Sequence, residues 1–486
     1  MKTTPMEHQV EGQARLDAAP TAFALAAEQG TGKTWMLLND SERQFLAGRI
    51  TGVLVVAPKG VHTNWVRREI PTHVSVPVKA DYYMSGMGAR RKARLQKLMR
   101  PSDDGELVVM AINIDALNTE DGYKAAATFL MHHEAIMIVD ESSRIKSGAA
   151  GRAKKCIALG KLAKSRRIAS GTMIANSPLD VFYQFEFLKP RGALLGTTSF
   201  SAFTAEFADV LPADHHLVRH AAAKSARGIA PQMIRKDDSG RPVFRNLDKL
   251  QKLMAPHTFR VLKKDCLDLP DKIYQTAYYE LEPAARRVYD KAAEELRYER
   301  DCGEIDAYTA LTKITKLQQM AAGFVMVDGV PEYVCEKNPR LALLKELVED
   351  TEGQFIVWAV YREELRQIVE ALRELGVPCV EYHGGVKDSD REQAVDKFQS
   401  GEARAFVGQA QAGGIGLTLT AATTAIYYSS NFSLELRLQS EDRCHRIGTK
   451  QSVLYIDLAG VDTIDERISS ALQSKSITAS AVLDGL

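Results

Sequence analysis

Short apolar runs alternate with polar, helix-like stretches in the first third of the chain. Five of these runs are predicted as buried strands, at residues 21–26, 53–57, 107–111, 135–139 and 166–170. A helical pattern, for example at residues 35–45, follows such runs. Strands that alternate with helices are typical of a parallel, doubly wound α/β sheet.

The alternation stops at about residue 182 and returns after about residue 350. Residues 182–265 carry aromatic helical stretches and then a segment rich in histidine and basic residues. We interpret this part as an α-helical and loop protrusion, which either follows a nucleic-acid backbone or is a solvated insertion. Residues 262–272 are polar and contain a proline, so they predict an interdomain connection, and a helical tract at 282–322 and a hairpin around Asp328-Gly329 follow.

The last part of the chain predicts a second parallel domain. Its predicted strands are residues 355–359, 379–382, 405–407, 425–428 and 453–458, and its predicted helices are 362–375, 391–399 and 434–444. This half has no counterpart of the glycine-rich stretch at residues 28–34, called here the phosphate loop, so we expect it to act together with the first half.

Composition and charge describe an ordinary globular protein of two or three domains. The chain has 486 residues, of which 45% are hydrophobic and 26% are charged, with a formal net charge of +1. A near-neutral total does not exclude nucleic acid as a partner, because binding needs only a local basic surface. Six widely spaced cysteines without a Cys-x-x-Cys pair suggest neither a zinc site nor a disulfide framework. With no apolar signal region and no membrane-length apolar run, we expect a cytoplasmic protein without a membrane partner.

A glycine-rich stretch lies between the first predicted strand and the helix after it. Residues 28–34 read Glu-Gln-Gly-Thr-Gly-Lys-Thr. Gly30 and Gly32 let the backbone approach an anion closely, and the following helix offers its N-terminus. Lys33 is expected to reach the β- and γ-phosphates, and the Thr34 hydroxyl to hold Mg²⁺. Ala27 stands where the usual pattern opens with glycine, so another Gly-rich α/β turn is the competing interpretation.

Two adjacent acids end the fourth predicted strand. Asp140 is expected to hold Mg²⁺, and Glu141 to orient and deprotonate the attacking water. Ser170 and Thr172, after the fifth strand, suit a sensor of the nucleotide state. Gln9, ahead of the phosphate loop, can pair with the edge of adenine, although a lone glutamine there is usually a solvated helix residue.

Further polar residues follow strands, where a parallel sheet faces its ligand. Lys59 is expected to contact a polymer's phosphates after the second strand, and Asn113 has the same geometry after the third. In the second half, His383 lies just past a strand, where a nucleic-acid backbone could run. The Gly-rich turn at residues 412–420 offers backbone amides to a polymer phosphate or, through Gly416, to the nucleotide.

Arg443 and Arg446 are three residues apart, so on a helix they share one face. Such guanidinium groups can stabilise charge on a transferring γ-phosphoryl group. An exposed basic helix, paired with Glu441 and Asp442, fits the spacing equally well.

Taken in order, these motifs resemble those of superfamily-two helicases, and more narrowly the Swi/Snf-type group of double-stranded-DNA translocases. The narrower resemblance depends on Pro58 with Asn64-Trp65, Lys146 after the acids, Leu269-Pro270, His383-Gly384-Gly385 and Arg443 to Gly448. It implies an α/β fold of two tandem RecA-like parallel-sheet lobes with α-helical protrusions. The implied division is residues 1–190 for the ATP-binding lobe 1, 191–265 for its helical protrusion, 266–335 for the linker and the lobe 2 protrusion, and 336–486 for lobe 2.

The resemblance also implies a site of three parts. The nucleotide would be bound by Gln9, Gln29, Gly30, Thr31, Gly32, Lys33, Thr34 and Gly416, with Mg²⁺ on Thr34 and Asp140 and with catalysis by Lys33, Asp140, Glu141, Arg443 and Arg446. DNA would be bound by Lys59, Trp65, Asn113, Lys146, His383, Gly413 and Thr418. Coupling between hydrolysis and movement would involve Ser170, Thr172 and Gln439.

The expected activity is an ATP- and Mg²⁺-dependent DNA translocase that remodels DNA structures or protein–DNA complexes. We expect a monomer without zinc, and the sequence names no protein partner. A strand-separating DNA or RNA helicase is the first alternative, and a nucleic-acid-binding scaffold with a vestigial ATPase is the second. Ser142-Ser143, Met173 and Thr449 depart from the family pattern, and they bear on coupling between hydrolysis and movement.

Overall fold

The computed structural model describes residues 1–224, 232–238, 240–301, 307–412 and 417–483. The chain divides into two compact units. Unit 1 comprises Met1–Val210, Ile234–Asp268 and Ile477–Leu486, and unit 2 comprises Leu211–Met233 and Leu269–Ser476. Each unit is built on its own parallel sheet, which confirms the predicted α/β fold with two parallel-sheet lobes. The finer division into four segments stays a prediction.

The sheet of unit 1 has seven parallel strands in the order β3-β4-β2-β5-β6-β1-β7. The strands are β1 (Ala22–Ala27), β2 (Gly52–Ala57), β3 (Val78–Tyr82), β4 (Leu107–Asn113), β5 (Ala135–Asp140), β6 (Ser165–Ala169) and β7 (Thr258–Val261). Every residue of β1, β2 and β5 is buried, because helices cover both faces of a parallel sheet. The five predicted strands are present. The two edge strands, β3 and β7, were not predicted, and β7 lies inside the stretch that was interpreted as a protrusion.

Helices cover both faces of this sheet and form the connections between its strands. The helices of the chain up to residue 268 are α1 (Glu7–Ala18), α2 (Lys33–Leu46), α3 (Val61–Asn64), α4 (Ile70–His73), α5 (Ala89–Gln96), α6 (Glu120–His132), α7 (Gly151–Gly160), α8 (Val181–Leu188), α9 (Phe200–Phe207), α10 (His216–Lys224), α11 (Leu247–Met254) and α12 (Lys263–Cys266). Of these, α10 belongs to unit 2. A π-helical turn, Trp65–Glu69, joins α3 to α4. Two buried apolar clusters, one on each side of the sheet, form the core.

The sheet of unit 2 has six parallel strands in the order β12-β13-β11-β14-β15-β8. The strands of this unit are β8 (Lys272–Tyr279), β9 (Phe324–Val327), β10 (Val330–Tyr333), β11 (Gln354–Trp358), β12 (Cys379–Tyr382), β13 (Ala405–Gly408), β14 (Ala422–Tyr427) and β15 (Val453–Gly460). Strands β9 and β10 form the expected antiparallel hairpin. The edge strand β8 is an addition to the prediction, and most of its residues are exposed.

Beyond residue 268, the helices are α13 (Pro283–Asp301), α14 (Ala307–Ala321), α15 (Pro339–Asp350), α16 (Arg362–Glu374), α17 (Asp388–Gln399), α18 (Leu434–Glu441) and α19 (Ile464–Leu483), the last of which ends in residues of unit 1. The first two, α13 and α14, lie in the predicted helical tract. Within the described ranges, the helices are too short or too polar to cross a membrane.

Candidate nucleotide and nucleic-acid site

The phosphate loop lies where sequence placed it, between β1 and α2. Gly30 and Gly32 have φ values of +84° and +82°, which a residue with a Cβ adopts only under strain. Gly32 is the N-cap of α2, so the unpaired N–H groups of the first helical turn begin at Lys33. The Lys33 side chain is buried, with 8% of the residue exposed. This turn offers backbone donors, a helix N-terminus and one cation to an anion.

The beginning of α1 rests on the phosphate loop. A Cβ added at Gly32 would come within 2.0 Å of the Gln9 amide nitrogen, so the Gln9 side chain lies directly against the loop. Its Oε1 accepts a hydrogen bond of 2.9 Å from the backbone N–H of Met6. His8 Nε2 lies 2.7 Å from the carbonyl oxygen of Thr31. Sequence analysis singled out Gln9 and missed His8, which precedes it.

The two acids at the end of β5, Asp140 in the strand and Glu141 just after it, have different environments. Asp140 is 5% exposed, and its Oδ2 accepts a hydrogen bond of 2.9 Å from Trp65 Nε1. Its Oδ1 accepts one of 3.0 Å from the Glu141 backbone N–H. Glu141 has a left-handed backbone, with φ +52° and ψ +58°. Such a conformation is uncommon for a residue with a side chain and is often found at functional sites.

The sheet order brings three predicted segments to one edge. Strand β6 lies between β5 and β1, with Ala169 paired to both Asp140 and Leu25. Because parallel strands end at the same edge, the phosphate loop, the two acids and the segment after β6 meet there. A Cβ added at Gly171 would lie 3.3 Å from the Gln29 backbone nitrogen and 3.5 Å from Lys33 Nζ.

Ser170 links the segment after β6 to the acids. Its hydroxyl donates a hydrogen bond of 3.3 Å to Glu141 Oε2 and accepts one of 3.1 Å from the Thr172 backbone N–H. Ser170 is 0% exposed and Thr172 is 7% exposed. The two predicted coupling residues of unit 1 are therefore buried beside the proposed catalytic carboxylate.

A buried ion pair fixes the phosphate-loop helix against β6. Arg167 Nε on β6 donates to Asp40 Oδ2 on α2 over 2.9 Å, and both side chains are almost fully buried. Gln44 donates to the other oxygen of Asp40 over 2.9 Å. These contacts thus fix the position of α2, which follows the phosphate loop, relative to β6, which leads to Ser170.

Lys263 is a residue near the phosphate loop that sequence analysis missed. Strand β7 pairs with β1 and ends at the same edge, so α12 begins beside the loop. The Lys263 backbone N–H donates to Glu28 Oε2 over 2.6 Å, and its Cε lies 3.8 Å from the Cβ position at Gly30. The missed strand β7 was the signal that would have located it.

The buried position of Trp65 contradicts the prediction that this residue contacts DNA. The indole is 1% exposed, lies in the core of unit 1 and donates to Asp140. It therefore presents no surface to DNA. The reason is that the segment after β2 turns through the π-helix and folds this aromatic residue inward.

The other predicted DNA contacts of unit 1 have different degrees of exposure. Lys59 is exposed, directly after β2. Asn113 is partly exposed, and its Oδ1 accepts a hydrogen bond of 3.1 Å from the Asp115 backbone N–H, capping a 3₁₀ turn. Lys146 is partly exposed near Asp180. Burial raises the pKa of the Asp180 carboxyl above its usual value, while the charge of Lys146 and backbone hydrogen bonds oppose that rise.

In unit 2, Arg443 and Arg446 do not share a helical face as was predicted, because α18 ends at Glu441 and not at residue 444. Arg443 and Arg446 lie in the turn that follows. Arg443 is 5% exposed. Arg446 Nη1 donates to the Leu417 carbonyl oxygen over 3.2 Å and to Thr418 Oγ1 over 3.0 Å. The structure thus joins Thr418 and Arg446, which were predicted for different roles.

The other site residues predicted in the second half lie on α18, just after β12, or outside the described residues. Gln439 is 5% exposed on α18, and its amide donates to Glu435 over 3.3 Å. His383 Nδ1 accepts a hydrogen bond of 3.1 Å from the Gly385 backbone N–H. Gly413 and Gly416 lie outside the described residues. Thr449 donates to the Cys444 carbonyl oxygen over 2.7 Å, so this departure from the family pattern closes the turn after α18.

A buried charge network holds α18 in place. Glu441 accepts hydrogen bonds from Lys272, Tyr274 and Arg437 over 2.8–2.9 Å. Although burial alone would raise it, the charges of Lys272 and Arg437 hold the pKa of Glu441 below its usual value. Arg437 also pairs with Asp457 on β15. Glu441 is therefore part of the core of unit 2 and is not the exposed surface partner that a basic helix would have.

Two family models match most of the chain. Residues 13–329 match the family model described as SNF2-related domain, and residues 339–448 match the helicase conserved C-terminal domain. An uncharacterised ATP-dependent helicase of Mycoplasma pneumoniae is 23% identical over 94% of this chain and 40% of its own length. The DNA annealing helicase and endonuclease ZRANB3 of Bos taurus is 28% identical over 76% of this chain and 31% of its own length. The chain spans less than half the length of these curated relatives.

Among solved structures, the Sulfolobus solfataricus SWI2/SNF2 ATPase core in complex with double-stranded DNA is 21% identical. The similarity covers 99% of this chain and 94% of that chain, with a TM-score of 0.40.

Proposed function

The chain belongs to the SNF2-related family, a Swi/Snf-type group of superfamily-two helicases, and on this premise we propose that it is a DNA-dependent ATPase. In this proposal ATP hydrolysis drives translocation along double-stranded DNA and so remodels DNA structures or protein–DNA complexes. The observation that carries the proposal is the meeting of the phosphate loop, Asp140-Glu141 and Ser170 at one edge of the unit 1 sheet.

The phosphate loop is proposed to bind the phosphates of ATP. The backbone N–H groups from Gly30 to Thr34 and the Lys33 ammonium would hold the anion, and Gln9 would select adenine. Gln9 Nε2 lies against Gly32, which supports a position close to the nucleotide.

The residues near this loop fit a Mg²⁺ ion. Asp140 is a nearly buried carboxylate whose two oxygens are oriented by N–H donors, and Thr34 supplies a partly exposed hydroxyl at the start of α2. Hard oxygen ligands of this kind suit Mg²⁺. When bound, the ion would neutralise charge on the β- and γ-phosphates.

Glu141 is proposed to orient and deprotonate the attacking water. It has a left-handed backbone at the end of β5, and the Ser170 hydroxyl donates a hydrogen bond to its Oε2. A general base must be held at a fixed distance from its proton, so this contact supports the assignment.

Arg443 and Arg446 are proposed to stabilise charge on the γ-phosphate during hydrolysis. Lys59, Asn113, Lys146, His383 and Thr418 are proposed to contact DNA. Ser170, Thr172 and Gln439 are proposed to couple hydrolysis to movement. Gln29, Thr31, Gly413 and Gly416 keep the nucleotide and DNA roles proposed from sequence.

The first test is steady-state ATP hydrolysis without nucleic acid, and then with duplex DNA, single-stranded DNA or RNA. Stimulation mainly by duplex DNA is expected. Stimulation mainly by single strands or RNA would favour a strand-separating helicase, and absence of hydrolysis in every condition would favour the scaffold. Displacement of a third strand from a DNA triplex then tests translocation itself.

Two variants connect this activity to the site. Lys33→Ala and Glu141→Gln are each expected to abolish turnover, since one removes the phosphate cation and the other the base. Arg43→Ala is the matched control on α2, because that side chain is 52% exposed on the helix surface. Wild-type turnover in either site variant would refute the assignment.

A further inference from the structure

Gln184 is a fully buried amide on α8 whose hydrogen-bonding groups are used on both sides. Its Oε1 accepts a hydrogen bond of 2.7 Å from the Ser142 hydroxyl. Its Nε2 donates to the carbonyl oxygens of Met173 and Asp180, each over 2.8 Å. Gln184, Ser142 and Met173 are all 0% exposed. Burying an amide is costly unless it is fully bonded, so this arrangement is strongly specified.

These bonds join two segments that have no ladder contacts of their own. Strands β5 and β6 are paired as far as Asp140 and Ala169, where their ladder ends. Ser142 belongs to the segment after β5 and Met173 to the segment after β6. The Gln184 amide bridges the space between them.

Asp180, the N-cap residue of α8, holds the loop that continues after Met173. Asp180 Oδ2 accepts hydrogen bonds of 3.0 Å and 2.7 Å from the backbone N–H groups of Ala175 and Asn176. Gln184 in turn donates to the carbonyl oxygen of Asp180. Asp180 and the first turn of α8 thus hold the chain after Ser170 at Met173, Ala175 and Asn176.

We propose that Gln184 is a positioning residue for hydrolysis, which keeps Glu141 in register with Ser170 by tying their two segments together. This inference depends on the proposed function, because it takes Glu141 as the base. Ser142 is bonded to Gln184 and Glu141 is bonded to Ser170. The two bridges link the segment after β5 to the segment after β6 at two points, Ser142 through Gln184 and Glu141 through Ser170.

Two of the departures from the family pattern take part in this bridge. An alanine or glycine at position 142 could not donate to Gln184 through its side chain, so Ser142 and Gln184 complement each other. Met173 contributes its backbone carbonyl oxygen, which any residue would supply. The bridge therefore depends on Ser142 and Gln184 and not on the Met173 side chain.

The test compares Gln184→Met and Ser142→Ala with the wild-type chain in the DNA-stimulated ATPase assay. Methionine keeps an unbranched side chain of similar length and removes all three hydrogen bonds. We expect kcat to fall about tenfold in Gln184→Met, the effect of a loss of about one hydrogen bond's worth of positioning. The KM for ATP is expected to stay within about twofold, since the phosphate loop is untouched. Ser142→Ala, which leaves the other two bonds, is expected to shift kcat in the same direction by less.

Phe187→Leu is the control for a merely structural role. Phe187 is fully buried on the same helix, packs near Gly160 and makes no side-chain hydrogen bond. It is expected to lower the Tm while kcat stays at the wild-type value, with every variant assayed at a temperature where it is folded. Unchanged kcat in Gln184→Met, or an equal loss of kcat in Phe187→Leu, would overturn the inference. If Gln184→Met does not fold, unchanged kcat in Ser142→Ala overturns it instead. A wild-type chain without ATPase activity would refute the proposed function itself, so the two failures are distinguishable.

Discussion

Replacing Trp65 by phenylalanine tests whether this buried indole orients the proposed Mg²⁺ ligand. The substitution keeps an aromatic ring in the core and removes the N–H that donates to Asp140 Oδ2 over 2.9 Å. The carboxylate would keep the donor on Oδ1 from Glu141, so it would be free to rotate about that contact. We expect weaker Mg²⁺-dependent activity and undisturbed DNA binding, because Trp65 is 1% exposed.

The size of the effect follows from the kind of hydrogen bond that is lost. A bond to a charged acceptor contributes about 1.5–3 kcal/mol. If the lower end of that range, about 1.5 kcal/mol, serves to orient Asp140, the Mg²⁺ concentration for half-maximal hydrolysis rises about tenfold, since about 1.4 kcal/mol corresponds to a factor of ten. The smaller ring also leaves a cavity, so we expect the free energy of unfolding to fall by about 1–3 kcal/mol.

Trp358→Phe separates the two contributions. Trp358 is also 1% exposed, on β11, and its indole N–H makes no hydrogen bond to any residue that the structure describes. This control should lower stability while leaving the Mg²⁺ requirement of ATP hydrolysis unchanged. The reasoning is refuted if Trp65→Phe shows the wild-type Mg²⁺ requirement, or if it weakens DNA binding as a lost DNA contact would.

Three further predictions follow from the same site. Gly32→Ala should abolish ATP binding, measured by titration with a fluorescent nucleotide, because its Cβ would lie 2.0 Å from Gln9 at a φ of +82°; Gly48→Ala, at φ +65° with nothing within 4 Å, should bind normally. Arg167→Met should lower the free energy of unfolding by about 3–5 kcal/mol in denaturant titrations, since it leaves the buried Asp40 carboxylate unpaired; a loss below about 1 kcal/mol would contradict this. Burial raises the folded-state pKa of Asp180, so the folded chain keeps a proton that the unfolded chain has released, and this residue's contribution to stability falls as pH rises from about 3.8 through the raised value. Asp180→Asn should therefore flatten the Tm against pH in that window, and an unchanged slope would exclude the contribution.

The interior strands were predictable because both faces of a parallel sheet are covered. Runs such as Val-Leu-Val-Val-Ala in β2 are apolar at every position, and they contrast sharply with the helices between them. Strand β8 reads Lys-Ile-Tyr-Gln-Thr-Ala-Tyr-Tyr and is mostly exposed, so it lacks the continuous apolar pattern of a buried strand. Strand β7 has only four residues, one of them Arg260. Edge strands of this kind are fixed by pairing with a neighbour, which a local pattern does not contain.

The candidate site shows the same limit. The glycines and acids were found because their chemistry requires particular residue types at particular spacings. Trp65 was assigned to DNA through the family resemblance, and its position after β2 shows which edge the segment leaves but not which way the indole turns. Gln184 and Lys263 carry no motif, and only the pairing of β5, β6, β1 and β7 brings their helices to the site. Arg443 and Arg446 were assigned to a helical face because the periodic pattern of α18 continues past Glu441, where the helix ends.

The position of β1 in its sheet has a consequence for biosynthesis. This strand is made early, yet its two neighbours, β6 and β7, come much later in the chain, with Ala24 paired to both Ile168 and Thr258. At about 5–20 residues per second, a ribosome needs roughly 7–30 s to pass from β1 to β6 and roughly 10–50 s to pass from β1 to β7. During that time the strand that carries the phosphate loop has no partner on one or both edges. We expect nascent chains to require a chaperone until residue 261 has been synthesised. The phosphate loop would become able to bind a nucleotide only after β7 has emerged from the ribosome.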